Sequence, residues 1–104
     1  MKKGIFNAYV KLICDGIGIS REELLSKSRN RELAQARYIL YYLCHQRPIT
    51  IKKIIKLLDE EEFSVGYESV RGGIRTISNG LENGKDKDLN NFINDCIKTT
   101  VECC

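Results

Sequence analysis

The sequence predicts an all-α fold, a compact bundle of about six helices. Three observations predict it. Apolar residues recur at i, i+3, i+4 and i+7 along most of the chain, the spacing that lines one face of a helix. Strand-like alternation of apolar and polar residues is absent. The single proline, Pro48, and most of the glycines lie near the ends of the periodic segments, where they punctuate helices.

The first helix is expected from about Ile5 to Cys14, with Ile5, Phe6, Tyr9, Val10, Ile13 and Cys14 inward. Gly16-Ile17-Gly18 should end it, because glycine readily takes the left-handed conformation of a C-cap. Ser20 opens a short second helix. Glu23, three residues on, completes a capping box in which each side chain accepts the other's backbone N–H. Leu24 and Leu25 are its expected buried residues, and Ser26 to Asn30 reads as a polar, basic loop. The third helix runs from about Arg31 to Gln46, with Leu33, Ala36, Arg37, Leu40, Tyr41, Leu43 and Cys44 at helical spacing, and Pro48 stops it. Thr50 caps a fourth helix, Ile51 to Leu58, with Ile51, Ile54, Ile55 and Leu58 inward.

A turn is expected from Asp59 to about Gly66. A fifth helix follows from about Tyr67 to Leu81, with Val70, Ile74 and Ile77 on one face. Asn83 to Asp86 is a loop. A last amphipathic helix covers about residues 86–101, with Leu89, Phe92, Ile93, Cys96, Ile97 and Val101 forming a packing seam, and 102–104 is a tail. Gly72-Gly73 is costly inside a helix. The pair permits close approach of DNA or of another helix, or marks a kink.

At 104 residues and 42% hydrophobic content, the expectation is one globular domain over residues 1–104. No apolar run approaches the roughly 20 residues that span a bilayer. The basic start, Met1-Lys2-Lys3, leads into a segment broken by Asn7, Lys11 and Asp15, which is not a secretory leader. A cytoplasmic location is expected, with no membrane partner. Cys14, Cys44 and Cys96 fall on apolar helix faces as small hydrophobes, and Cys103 and Cys104 read as thiols on the tail. Metal-ligand spacing is missing, so no metal or cofactor is expected.

Charge is concentrated in the middle. Arg21, Lys27, Arg29, Arg31, Arg37, Arg47, Lys52, Lys53 and Lys56 face only Glu22, Glu23 and Glu32. That segment carries +6 in a chain of net +3, so the remainder is net acidic. Such a block is the footprint of a phosphate-binding face, or simply a solvated helix surface. A long buried helix followed by two helices of about ten residues joined by a turn suits a helix-turn-helix, whose second helix enters the major groove. No enzyme is expected. His45, the sole histidine, lies beside Cys44 near a helix end and reads as a surface or capping residue. Gly80 to Lys85 lacks the spacing of a phosphate loop.

One stretch carries a resemblance. Leu24-Leu25, then Lys27-Ser28-Arg29-Asn30-Arg31, then Ala34 and Arg37, then Leu40 to Leu43 follow in order within Gly18 to Leu43. This stretch resembles the opening of the DNA-binding domain (domain IV) of the bacterial replication initiator DnaA, and with it the Trp-repressor-like helix-turn-helix superfamily. With the helix-turn-helix included, the resemblance covers about residues 5–80.

The resemblance implies that Arg29 enters a minor groove, where an always-charged, weakly hydrated guanidinium suits a narrow electronegative channel. It implies phosphate contacts from Lys27, Arg31 and Arg37, with Lys52 beside them. Such contacts position a protein without reading sequence. Arg37 could instead pair with Glu32 or Glu68. The family's signature Gly-Gly-Arg-Asp-His-Thr-Thr-Val corresponds here to Phe63-Ser64-Val65-Gly66-Tyr67-Glu68-Ser69-Val70. The arginine and aspartate are replaced, so the family's sequence specificity does not carry over. Tyr67, Glu68, Ser69, Arg71 and Arg75 are the candidate reading residues, with Arg71 and Arg75 one turn apart. Asp59-Glu60-Glu61-Glu62 would repel a phosphate backbone unless it points away.

The implied function is a stand-alone double-stranded DNA-binding protein, a replication or transcription regulatory factor of a bacterium, phage or mobile element. It would not carry the initiator's ATPase module. The competing class is a protein-interaction module (a decoy, assembly factor or virion component) that keeps the scaffold without sequence-specific DNA binding. A homodimer or partner contact through the last helix is compatible with either.

Overall fold

A computed structural model describes residues 2–26, 30–47, 49–83 and 87–103, with side chains described at 4–26, 30–47, 49–82 and 88–98. The helices are α1 (Lys2–Ile17), α2 (Arg21–Leu24), α3 (Arg31–Gln46), α4 (Ile51–Glu60), α5 (Tyr67–Asn83) and α6 (Lys87–Cys103). The fold is all-α, with no strand among the described residues. Its Cα radius of gyration is 12.6 Å, against about 13 Å for a compact chain of this length. Among the described residues no helix is long and apolar enough to cross a membrane.

α3 is the axle. Leu33, Ala36, Ile39, Leu40, Tyr41, Leu43 and Cys44 are buried on several of its sides, because α1, α2, α4, α5 and α6 all pack on it. The most extensive of these contacts is with α5. Asn30 caps α3, its Oδ1 accepting the backbone N–H groups of Glu32 (2.8 Å) and Leu33 (3.4 Å). The capping box of α2 forms as the spacing predicts. Ser20 N donates to Glu23 Oε1 and Glu23 N to Ser20 Oγ, both at 3.1 Å. Leu24 is fully buried there, while Leu25 is only partly covered. Thr50 Oγ1 caps α4 by accepting from Lys53 N at 3.3 Å. Ile54, Leu57 and Leu58 are the buried positions of α4, with Ile51 and Ile55 half-buried.

Several expected boundaries move. α1 continues past Gly16, which does not end the helix. A Cβ there would collide with the Phe92 ring, so Gly16 is where α6 seats against α1. The stop is Gly18, at φ 82°. The N–H groups of Gly18 and Ile19 both donate to the Cys14 carbonyl, at 2.8 and 3.0 Å.

α4 extends through Asp59 and Glu60, which the sequence assigned to a turn. Its end is a Schellman motif. Phe63 N donates to Leu58 O and Glu62 N to Asp59 O, both at 3.0 Å, with Glu62 left-handed at φ 62°. Burial of Phe63 beside Leu58 holds that geometry against the unfavourable placement of carboxylates at a helix C-terminus.

α5 runs on to Asn83 without interruption, so the helix continues through Gly72-Gly73. Gly73 is buried, and a Cβ there would lie 2.6 Å from Tyr38 Cδ1 and 3.0 Å from Tyr41 Cδ2. The close approach is to another helix, α3. α6 runs to Cys103, so Glu102 and Cys103 are helical and not tail. Its seam residues Ile93 and Cys96 are buried, with Leu89, Phe92 and Ile97 packed around them against α1 and α3. The apolar side of α6 is therefore covered from within the chain from Leu89 to Ile97, and the side chain of Val101 lies outside the described residues.

Candidate nucleic-acid interface

α4 and α5 are held at their relative angle by Phe63, Val70 and Ile77, which are buried with Leu57 and Leu58 in the common core. With its inner face fixed by Val70, Gly73 and Ile77, α5 turns Glu68, Arg71, Gly72, Arg75, Thr76 and Asn79 to solvent. Tyr67 opens the helix and is 47% exposed, and Ser69 beside it is also exposed. Arg71 and Glu68 make only a loose i, i+3 pair, 3.9 Å apart, with 53% and 82% of their side chains exposed. Both therefore keep most of their donors and acceptors in reach of an outside partner.

The flanking basic residues divide. Arg31, the first residue of α3, and Lys52, near the start of α4, are exposed. Lys56 lies one turn beyond Lys52 and is exposed as well. It is absent from the expected contact set, although its i, i+4 spacing from Lys52 is a signal the sequence carries. Lys27 and Arg29 lie outside the described residues.

Arg37 is half-buried. Its Nη1 donates to the Ser26 carbonyl at 2.7 Å, and its guanidinium carbon sits 5.9 Å from the centroid of the Phe63 ring. It ties the residue that enters the basic loop to α3 and to the α4–α5 turn. Neither Glu32 nor Glu68 is needed to explain where it sits.

Arg21 is a feature the sequence did not reveal. Its Nη2 donates to Asn7 Oδ1 at 3.0 Å and lies 2.8 Å from Glu61 Oε1. One guanidinium thus links α1, the start of α2 and the α4–α5 turn. The acidic segment is split by this arrangement. Asp59 and Glu60 stand exposed on the last turn of α4, Glu61 is directed to Arg21, and Glu62 occupies the left-handed corner. Along the outer side of α4 the charge therefore changes sign, from Lys52 and Lys56 at the N-terminal end to Asp59 and Glu60 at the other. The helix dipole adds positive potential at the lysine end.

The buried thiols take no part in this surface. Burial pushes Cys44 up to about 12, and burial, with a smaller effect of Asp95, pushes Cys96 up to about 11. They stay protonated and act as core atoms. His45 is exposed in the last turn of α3.

A family model described as the bacterial dnaA protein helix-turn-helix matches residues 8–71, more than half of the chain. The match runs from α1 through α4 and ends early in α5, leaving the rest of α5 and α6 outside it. No curated protein matches the chain.

Proposed function

The chain belongs to the bacterial DnaA helix-turn-helix family, and on that premise we propose that it is a double-stranded DNA-binding protein. It serves as a replication or transcription regulatory factor of a bacterium, phage or mobile element. α5 enters the major groove from Tyr67 onward, and Arg29 enters the adjacent minor groove. The observation that carries the reading is the outward face of α5. It is a helix of the right length for a groove, buried on one side and presenting Arg71 and Arg75 on the other. Arg31 and Lys52 reach phosphates on either side, and Arg37 positions the basic loop through Ser26. The contacts to phosphate supply affinity and orientation, and those of α5 supply whatever sequence preference exists.

The test is duplex binding across a salt series. Affinity should fall linearly on a log–log plot, and Lys52→Ala should reduce the slope by about 0.9, the value of one phosphate contact. Arg29→Ala combined with Arg31→Ala should abolish the gel shift. Absence of duplex binding at low salt refutes the proposal.

One observation favours a second reading. Asp59 stands exposed in the last turn of α4, ahead of the turn that leads into α5, where a phosphate backbone would be repelled and a basic protein partner attracted. A complex that survives nuclease treatment, from a protein with no DNA affinity of its own, would select that protein-interaction role.

A further inference from the structure

The outermost line of α5 is Glu68, Gly72, Arg75 and Asn79, at spacings of four, three and four residues, all exposed. Resting on the DNA-binding reading above, we infer that this line is the base reader, with Glu68 selecting a cytosine and Gly72 setting how closely the helix approaches. Three features support it.

The first is the glycine. Glycine weakens a helix interior, so each one calls for a reason. Gly73 has an internal one, the rings of Tyr38 and Tyr41. Gly72 has none among the described residues, since a Cβ placed there meets none of them within 4 Å. Its missing side chain makes room only for something outside the chain, at the midpoint between Glu68 and Arg75.

The second is the carboxylate. Glu68 is 82% exposed and only loosely engaged by Arg71. On a face turned to a polyanion, a carboxylate is repelled unless it meets a donor. In the major groove the guanine edge and the thymine O4 are acceptors, and adenine sets an acceptor N7 beside its amine. The cytosine N4 amine is the donor that suits a carboxylate.

The third is reach. Glu68 and Arg75 are separated by seven residues, about 10 Å along the axis, which is about three base-pair steps. Arg75 carries the fork that matches guanine O6 and N7. The target class is therefore a duplex with a cytosine and a guanine contact about three steps apart, read across the point where the helix backbone comes closest.

The rival explanation for Glu68 is favourable interaction with the positive N-terminal end of α5, which would leave base preference untouched. Selection from random duplex DNA by the full chain, by Glu68→Gln and by Gly72→Ala separates these. The native chain should enrich a motif containing the C·G pair. Glu68→Gln should still bind duplex but lose about tenfold in discrimination at that pair, the order of one base contact. Gly72→Ala should melt about 5 °C higher, because alanine favours the helix, yet bind the selected site about tenfold more weakly. An unchanged motif with Glu68→Gln, or native-like binding by Gly72→Ala, overturns the inference and leaves DNA binding standing. A native chain that enriches no duplex overturns both.

Discussion

Gly72 and Gly73 are adjacent, yet the same substitution should act on them in opposite directions. Alanine at either position gains about 1 kcal/mol of helix propensity. At Gly72 nothing opposes that gain, because a Cβ meets open space. At Gly73 the new Cβ would sit 2.6 Å from Tyr38 Cδ1 and 3.0 Å from Tyr41 Cδ2. Tyr38 is half-buried and has some freedom to swing. Tyr41 is 2% exposed and tilted against Tyr38 with ring centroids 6.3 Å apart, so it has little. Overpacking of this kind costs roughly 1–3 kcal/mol. Gly72→Ala should therefore be about 1 kcal/mol more stable than the native chain, and Gly73→Ala roughly 0–2 kcal/mol less stable. Propensity cancels between the two variants, so their difference of roughly 1–3 kcal/mol reports the α3–α5 contact alone. Urea unfolding followed by helical circular dichroism measures it, with Tm values separating by about 4–8 °C per kcal/mol. Equal stability of the two variants would refute the packing of α5 on Tyr38 and Tyr41.

Arg21→Ala should cost roughly 1 kcal/mol, since its pair with Glu61 is partly exposed but a second bond, to Asn7, is lost with it. A double-mutant cycle with Glu61→Ala should return a coupling of roughly 0.5–1 kcal/mol, and zero coupling would contradict the link. Glu62→Gly should stabilise by about 1 kcal/mol, because φ 62° suits glycine, and a loss of stability in urea would contradict the Schellman corner. Stability should also fall at alkaline pH. The Cys44 and Cys96 thiols are raised to about 12 and about 11 in the native chain, chiefly by burial. Unfolded thiols release their protons from about pH 9, so the unfolded chain then binds fewer protons than the native one. The contribution is intact below that pH and is lost as pH rises toward the native values, at roughly 1 kcal/mol per thiol per pH unit. A flat Tm between pH 8 and 11 in reducing buffer would contradict it.

Much of the fold was legible because it rests on local rules. The bounds of α3 follow from periodicity, and the α2 capping box and the Thr50 cap from residue type and spacing. The failures share a cause, which is contact between distant segments. Gly16 reads as a terminator in sequence but is kept small by Phe92, 76 positions later. Asp59 and Glu60 look like turn residues, yet α4 carries them because Phe63 anchors the corner beyond. Arg21 reads as one more surface charge, although Asn7 and Glu61 meet around it. On the candidate interface, the exposed side of α5 was legible from its own period. The engagement of Arg37 with Ser26 and Phe63 was not, because a half-buried arginine and an exposed one look alike in a sequence.

That difference matters for what the basic middle means. A charge of +6 between Arg21 and Lys56 is not six phosphate contacts. Arg21 and Arg37 are held by the protein itself, one across three segments and one under the entry to the basic loop. Their charge still raises the local potential, which steers encounter with a polyanion. Their geometry, however, serves the scaffold. Among the described residues proposed to contact phosphate, Arg31 on α3 and Lys52 on α4 sit at helix starts, where side-chain charge and helix dipole have the same sign. The carboxylates Asp59 and Glu60 sit at the opposite end of α4, and Glu61 is neutralised by Arg21. Positive ends and negative ends are thus sorted along the helices and not averaged over the surface. A polyanion would meet one orientation of this bundle far more favourably than the reverse, and that orientation is set before any base is read.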